Sequence, residues 1–303
     1  FKMSFSGTDD DTAISFIHDL GFIAKIKTEN GVTKKGFKVL LGGGLGSQPR
    51  HADVIYDFLE EDVLIPTIEG VLRIFDRFGE RAKRAKARLK FLVKDLGVDT
   101  FLQLVSDEVN ALENKTFKVD TTEFEQPISF QEIAIPSVKI EDESVYKKWK
   151  ETNVIKQKQE GLFAIGLKIH LGDFYTPKAR LLADLVKKYA ANEIRLTLRQ
   201  NILIRHIKEE LLPFFYVELQ KLGFAKAGYN STADITACPG TDTCNLGISS
   251  STGIAVELEK VLEEEYPAYL NNKEIAIKIS GCMNACGQHN MAHIGFQGMS
   301  IKV

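Results

Sequence analysis

The stretches ACPGTDTC at residues 237–244 and SGCMNACG at residues 280–287 hold all four cysteines of this 303-residue chain. Their spacings are C-x5-C and C-x3-C. The first spacing is longer than the C-x2-4-C pairs of common zinc sites, and the glycines let backbone amides approach sulfur. The pattern therefore favours a cubane iron–sulfur cluster, in which each cysteine binds one iron, and redox chemistry. A structural zinc site or a bare electron-transfer cluster is the alternative.

Composition is that of a globular chain with no unusual partner. Hydrophobic residues make up 44% and charged residues 26%, and the length allows two or three packed units. The net charge of −2 gives no drive toward nucleic acid or a membrane surface, and no run approaches the ~18 apolar residues of a spanning helix. Cysteine occurs only in the two pairs, with none left over for disulfides, which indicates a reducing cytoplasm.

The first predicted unit, residues 1–127, mixes strands and helices. Gly36–Leu41 has the pattern of a buried strand, and Val63 to about Gly79 is apolar at helical spacing. The basic run Arg81–Lys90 is predicted to continue as a helix. The polar, proline-containing residues 128–145 are predicted to form a linker.

Two further units follow the predicted linker. Residues 146–226 show the order β-α-β-β-α, which is most of a ferredoxin-like repeat. Within this unit, Thr176 and Pro177 are predicted to cap an amphipathic helix, and Arg199–Asn201 to join two strands. Residues 227–303 carry the cysteines.

The cysteine stretches resemble the [4Fe-4S]/siroheme signature of the assimilatory nitrite and sulfite reductases. Residues 146–226 resemble the half-repeat of that family, whose R-x-T-x-x-Q-N turn is matched by Arg195–Asn201. Residues 1–7 resemble the family's K-F-K segment without its first lysine. One departure is His293, which stands where the family usually has an acidic residue, seven positions after the last cysteine. The resemblance implies an α/β fold of reductase half-domains with mixed sheets and a ferredoxin-like half-repeat.

The same resemblance implies a function. It is the six-electron reduction of nitrite to ammonium, or of sulfite to sulfide, at a siroheme coupled to a [4Fe-4S] cluster, with electrons from a ferredoxin or flavoprotein. Cys238, Cys244, Cys282 and Cys286 would bind the cluster, and Cys286 would bridge it to the siroheme iron. The resemblance also implies that the chain is the middle and later part of a longer enzyme, truncated at both ends. We therefore expect the chain alone to be inactive and to retain siroheme poorly.

Further site residues come from the same family match. Lys2 is expected over the distal face of the siroheme, where a cation can hold the anionic substrate and relay protons. The eight carboxylates of siroheme call for additional cations and close backbone approach. The residues assigned to cofactor binding in this way are Gly44, Gly46, Arg81, Arg84, Arg88, Arg195, Gln200 and Asn284.

Several of these assignments have simpler alternatives. The glycine run 42–46 is equally explained by a tight turn. The basic run 81–90 is also explained by a solvated surface helix. Arg195 and Gln200 belong to the second half-repeat by order, whereas the family places the haem-binding arginine in the first.

Overall fold

The computed structural model describes residues 1–122 and 134–301 and divides into two compact units, Phe1–Glu125 and Gln126–Val303. Both are mixtures of helices and sheets, which confirms the predicted α/β fold class. Residues 128–133 of the predicted linker lie outside the described residues. Residues 143–145 of the predicted linker are helical, since they form the start of a helix that begins at Glu143. No helix in the described ranges is long and apolar enough to cross a membrane.

The first unit is built on a four-stranded sheet in the order β1-β2-β3-β4. The strands are β1 (Met3–Ser6), β2 (Leu20–Glu29), β3 (Val32–Leu41) and β4 (Asp53–Glu60). β1 pairs with β2 in parallel, whereas the other pairs are antiparallel. β2 and β3 form a hairpin that turns at Asn30 and Gly31, both with positive φ, as a two-residue hairpin turn favours.

Three helices complete the core of this unit. They are α1 (Leu64–Phe78), α2 (Leu89–Leu96) and α3 (Val98–Ala111), and α1 confirms the helix predicted from Val63 to about Gly79. Val71 and Phe101 are fully buried with Phe22 of β2 in one hydrophobic cluster. Burial of each such side chain contributes roughly 1.5–3 kcal/mol.

The helix predicted over Arg81–Lys90 is wrong. A single 3-10 turn spans Arg84–Lys86, and α2 begins only at Leu89. The carboxylate of Glu80 accepts hydrogen bonds from the amides of Ala82 and Lys83, at 2.6 and 3.0 Å, which turns the chain there. Like charges three and four residues apart would also repel each other on a helix.

In the second unit, the half-repeat forms an antiparallel sheet in the order β5-β6-β8-β7. Its strands are β5 (Val154–Lys156), β6 (Leu162–Leu167), β7 (Ile194–Leu196) and β8 (Ile202–Lys208). Its helices are α4 (Glu143–Asn153), α5 (Thr176–Tyr189) and α6 (Leu212–Leu222). The prediction that Thr176 caps α5 is wrong. Thr176 is the first helical residue, and the N-cap Tyr175 offers no side-chain hydrogen bond.

The cysteine region of the second unit forms a three-stranded sheet in the order β11-β10-β9, with both pairs parallel. The strands are β9 (Thr236–Ala237), β10 (Ile277–Ser280) and β11 (Ile294–Gln297). Helix α7 (Ser251–Glu265) packs on this sheet through Ala255, which is buried with Ile277 and Ile279. Because β9 and β10 are parallel neighbours, the segments that follow them leave the same edge of the sheet.

Candidate functional site

The first cysteine loop (residues 238–250) and the second (residues 281–293) begin at the carboxyl ends of adjacent strands. Cys238 directly follows β9, and Cys282 follows β10 after Gly281. The amide of Cys238 donates to the carbonyl of Ile279 at 3.1 Å, which continues the β9–β10 ladder to the first cysteine. The amide of Gly281 donates to the Cys238 sulfur at 3.2 Å. The start of the second loop therefore contacts a sulfur of the first.

Glycines bring the main chains of these loops into contact. A Cβ on Gly281 would lie 2.8 Å from the Cα of Gly240 and 2.7 Å from the carbonyl oxygen of Ser249, so no larger residue fits there. The Gly281 carbonyl accepts from the amides of Ile248 and Ser249 at 3.0 and 3.2 Å. The sequence therefore needs glycine at position 281 to seat the second cysteine loop against the first.

The surroundings of Cys238 favour its thiolate. Burial raises the pKa of this thiol, but hydrogen bonds around the sulfur, of which the one from the Gly281 amide has the largest effect, outweigh burial, and the net pKa is lowered. The Ser251 hydroxyl lies 3.4 Å from the sulfur and 2.6 Å from the Cys238 carbonyl oxygen. Since the thiolate is the form that binds metals, the environment of Cys238 suits a ligand.

The other three cysteines differ in exposure. Cys282 is half-buried, as Cys238 is, whereas Cys244 and Cys286 are exposed, and so is Asn284 between the last two cysteines. Within residues 1–122 and 134–301, no three Cys, His, Asp or Glu side chains are close enough to share one metal ion. A cubane distributes its thiolates over four irons instead of one ion. Two thiols on each of two touching, glycine-lined loops fit that donor requirement.

Gln200 of the half-repeat binds the residue that precedes the first cysteine loop. Its side-chain amide donates to the Ala237 carbonyl at 2.8 Å, and its oxygen accepts from the Ala237 amide at 3.1 Å. Asn201 donates to buried Asp234 at 2.6 Å, and burial raises the pKa of that carboxyl group. The predicted turn therefore contacts the residue just before Cys238. Arg195 instead lies on β7 and pairs with Glu193 at 2.5 Å.

In the first unit, Asp19 joins two of the predicted basic residues. Only 1% of its side chain is exposed. One carboxylate oxygen accepts from Arg88 Nε and Nη2 at 3.2 and 3.0 Å, and the other accepts from the backbone amide of Lys2 at 2.8 Å. A Cβ on Gly44 would lie 3.5 Å from Arg88 Nη2. The structure thus joins the Lys2 backbone and the Arg88 side chain through a buried acid that the sequence did not single out, and Gly44 lies beside the Arg88 guanidinium.

Lys90 is a second residue that the sequence did not single out. It is 4% exposed, and its ammonium donates to the carbonyls of Leu45 and Gln48 at 2.8 and 2.7 Å. Burial lowers its pKa, followed in size by the charge of Arg88. Gly46, with φ of +105°, supplies a backbone conformation that other residues adopt only with strain. Lys90 therefore fixes the glycine run, and its place at the end of the basic run was the one signal available.

The contacts of Arg81 and Arg84 differ from those of Arg88. Arg81 pairs with Asp76 at 2.9 Å and lies over the ring of Phe75, and more than half of its side chain is exposed. Arg84 is exposed on the 3-10 turn. Their assignment to siroheme stays a prediction.

Two loops of the chain share one backbone path. The N-terminal loop (residues 7–19) joins β1 to β2, and the second cysteine loop (residues 281–293) joins β10 to β11, each between parallel strands. At the N-terminal loop, the backbone amide of Ala13 donates to the hydroxyl of Ser6, seven residues earlier, at 2.9 Å. At the second cysteine loop, the amide of Gly287 donates to the hydroxyl of Ser280, also seven residues earlier, at 3.1 Å. Both loops contain a 3-10 turn, at Ser15–Ile17 and at His289–Met291.

The correspondence extends to single side chains. The Lys2 amide donates to Asp19, and the Ala276 amide donates to His293 Nδ1 at 3.1 Å, each across 17 residues. In this alignment Thr8 and Thr12 occupy the positions of Cys282 and Cys286. The N-terminal loop is thus the cysteine-free counterpart of the second cysteine loop.

Comparisons with known proteins agree with this architecture. The family model described as the nitrite and sulphite reductase 4Fe-4S domain matches residues 1–112. The model described as the nitrite/sulfite reductase ferredoxin-like half domain matches residues 155–222. The four cysteines lie outside both matched ranges.

Relatives and a solved structure match almost the whole chain. An assimilatory ferredoxin-dependent nitrite reductase of Haloferax mediterranei is 26% identical over 99% of this chain and 49% of its own length. A ferredoxin–nitrite reductase of Synechococcus elongatus is 27% identical over 100% of this chain and 54% of its own length. The structure of the Mycobacterium tuberculosis NirA protein matches with a TM-score of 0.72 and 26% identity, over 97% of this chain and 49% of NirA.

A reductase-type half-domain followed by a ferredoxin-like half domain defines the class of protein. The chain belongs to the nitrite and sulfite reductase family. It spans about half the length of the curated relatives it matches.

Proposed function

We propose that this chain is part of a reductase that converts nitrite to ammonium or sulfite to sulfide in six electrons. The observation that carries the proposal is the contact between the two cysteine loops, through the Gly281 amide and the Cys238 sulfur. Relatives named as ferredoxin–nitrite reductase and as sulfite reductase support the same reaction class. Since both names occur among relatives of similar identity, the proposed substrate is either nitrite or sulfite.

In this proposal the four cysteines hold a [4Fe-4S] cluster. Cys238 and Cys244 contribute from the first loop, and Cys282 and Cys286 from the second. The hydrogen bond from the Gly281 amide to the Cys238 sulfur and the close glycine contacts would shield the sulfurs and fix the loops. The cluster, when bound, supplies single-electron transfer, and the chain supplies ligands and their orientation. Cys286 is proposed to ligate siroheme iron as well.

Siroheme and the anion are assigned to basic residues of the first unit. Arg88 and the glycine run at 44–46 would meet siroheme carboxylates, because guanidinium and backbone amides are strong carboxylate donors. The Lys2 ammonium would hold the anion and deliver protons to its oxygens. Arg81, Arg84, Arg195 and Asn284 are proposed as further contacts. Gln200 is proposed to act through the first cysteine loop.

We also propose a ferredoxin as the electron donor, with a flavoprotein as the alternative, and a cytoplasmic location. The relatives named as ferredoxin-dependent nitrite reductases support the ferredoxin. The confinement of cysteine to the two pairs supports a reducing compartment.

Anaerobic reconstitution of the chain with ferrous iron and sulfide tests the proposal. We expect about four irons and four sulfides per chain, with the broad visible shoulder of a cluster. Siroheme added in excess should bind this chain weakly and give at most a faint Soret band. Turnover of the full-length enzyme with reduced methyl viologen should separate nitrite from sulfite. Binding of one zinc or one iron without sulfide would contradict the proposal and indicate a non-catalytic four-cysteine metal module.

A further inference from the structure

We propose that Asp19 is a positioning residue that fixes the guanidinium of Arg88 for an anionic ligand. The ligand would be a carboxylate of the cofactor or the substrate oxyanion. The role of Arg88 rests on the proposed function, whereas the placement of Arg88 by Asp19 rests on contacts within the first unit.

Both oxygens of Asp19 have partners, and one of them holds only Arg88. Arg88 Nε and Nη2 approach the same oxygen at 3.2 and 3.0 Å, across 69 residues of sequence. Because two donors of the planar guanidinium bind the same buried carboxylate, the orientation of the Arg88 guanidinium is fixed. Arg88 nevertheless keeps 32% of its side chain exposed, so an anion can still reach it.

The second cysteine loop shows which part of this arrangement the backbone requires. At the counterpart position His293 accepts the Ala276 amide at 3.1 Å, as Asp19 accepts the Lys2 amide at 2.8 Å. A hydrogen-bond acceptor is therefore enough to close the loop between parallel strands. The negative charge and the burial of Asp19 exceed that requirement. The hydrogen-bonded contact that uses the charge is the one to Arg88, and the same charge also acts on Lys90 nearby.

The cation environment explains why such positioning is needed. Lys90 lies close enough for the Arg88 charge to lower its pKa, so the two cations repel each other. Lys90 is held by the carbonyls of Leu45 and Gln48. Without Asp19, repulsion and side-chain entropy would favour many orientations of Arg88. Groups that orient a ligand-binding side chain often matter nearly as much as the side chain itself.

Asp19→Asn tests the proposal in the full chain. Asparagine keeps an oxygen for the Lys2 amide but removes the charge that holds Arg88. We measure the rate at which phenylglyoxal modifies Arg88, by peptide mass spectrometry, together with the melting temperature. A folded D19N variant should show Arg88 modified about ten-fold faster, as expected for losing a charged hydrogen bond. Asp53→Asn, which removes the carboxylate paired with Arg50, is the control and should leave the Arg88 rate unchanged.

A second variant pair covers the case in which D19N alone does not fold. Arg88→Gln leaves Asp19 buried with its main partner removed, so adding D19N to R88Q should raise the melting temperature. An unchanged Arg88 rate in folded D19N, or no rise in the double variant, would overturn the proposal. Neither readout uses a cofactor, so failure of cluster assembly would affect the proposed function alone.

Discussion

The N-terminal loop and the second cysteine loop follow the same backbone path but carry different chemistry. Both join parallel strands and close on an acceptor 17 residues from the paired amide. They differ in their neighbours: β10 lies between β9 and β11, whereas β1 is the edge strand of its four-stranded sheet. The first cysteine loop leaves from β9, so only the second cysteine loop has a partner loop on that side. The comparison indicates that the loop conformation does not depend on cysteine ligands. A cluster site also requires a second cysteine-bearing loop beside the first.

The family match does not depend on the cysteine ligands. The model named for a 4Fe-4S domain matches residues 1–112, which contain no cysteine, and the cysteines lie outside the matched ranges. A half-domain of this family can therefore be recognised from its sequence without the cysteines. Whether a half-domain holds a cluster must be argued from its own side chains.

The largest expected difference between the loops is in metal content. Cys286→Ser should reduce reconstituted cluster iron and sulfide to background, because it removes one of four thiolate ligands. Thr12→Ser, at the counterpart position, should leave both unchanged. Iron and acid-labile sulfide analysis of the two variants makes the comparison. Full cluster content in C286S would show that this cysteine is not a ligand.

A smaller but still large difference is expected at paired glycines. Gly281→Ala should lower the free energy of unfolding by about 3 kcal/mol, because its Cβ would overlap the main chain of the first loop. The counterpart Gly7 has no atom within 4 Å of such a Cβ, so Gly7→Ala should change stability by less than ~0.5 kcal/mol. Chemical denaturation of both variants measures this. Equal effects would contradict the loop contact.

A buried lysine of the cysteine region should also make stability depend on pH. Lys278 of β10 is 2% exposed, and burial, then the charge of Arg199, lower its pKa to about 8. The unfolded lysine titrates near ~10.4, so between pH 8 and that value the unfolded state binds more protons. The free energy of unfolding should therefore rise with pH across this window, by up to about 3 kcal/mol.

Replacement of Lys278 tests this directly. Lys278→Met should reduce that rise by the share that Lys278 contributes, and buried Lys90, whose pKa is also lowered, should account for a remaining slope. Lys260→Met, at an exposed position of α7, should keep the rise. Denaturation at several pH values between 7 and about 10.4 gives both slopes. A slope in K278M equal to that of the unaltered chain would refute the assignment.

The smallest predicted effect concerns the first cysteine loop. Gln200→Leu should cost about 1–2 kcal/mol of stability, because it removes two hydrogen bonds and leaves the backbone groups of Ala237 unpaired. It should also speed release of cluster iron to a chelator. Gln220→Leu is the matched control, since Gln220 donates one bond to the Tyr216 hydroxyl. Similar release rates in the two variants would argue against a role for Gln200 in seating the loop.

The sequence was informative where the signal is local. The cysteine pairs, the helical spacing of α1 and the strand–helix order of the half-repeat are all readable from neighbouring residues. The basic run 81–90 misled because Glu80 caps a turn that periodicity does not detect. Asp19 and Lys90 could not be identified because their partners lie 69 and 45 residues away. The likeness of the two loops was hidden because they share few residues, such as Ser6 with Ser280 and Gly21 with Gly295.

Iron-edge anomalous diffraction from crystals of the reconstituted chain tests the central claim, that the two cysteine loops form one cluster site. We expect a single compact iron peak contacted by the sulfurs of all four cysteines, with the Gly281 amide still directed at Cys238. Separate iron peaks, or sulfurs of the two loops facing different surfaces, would contradict the account.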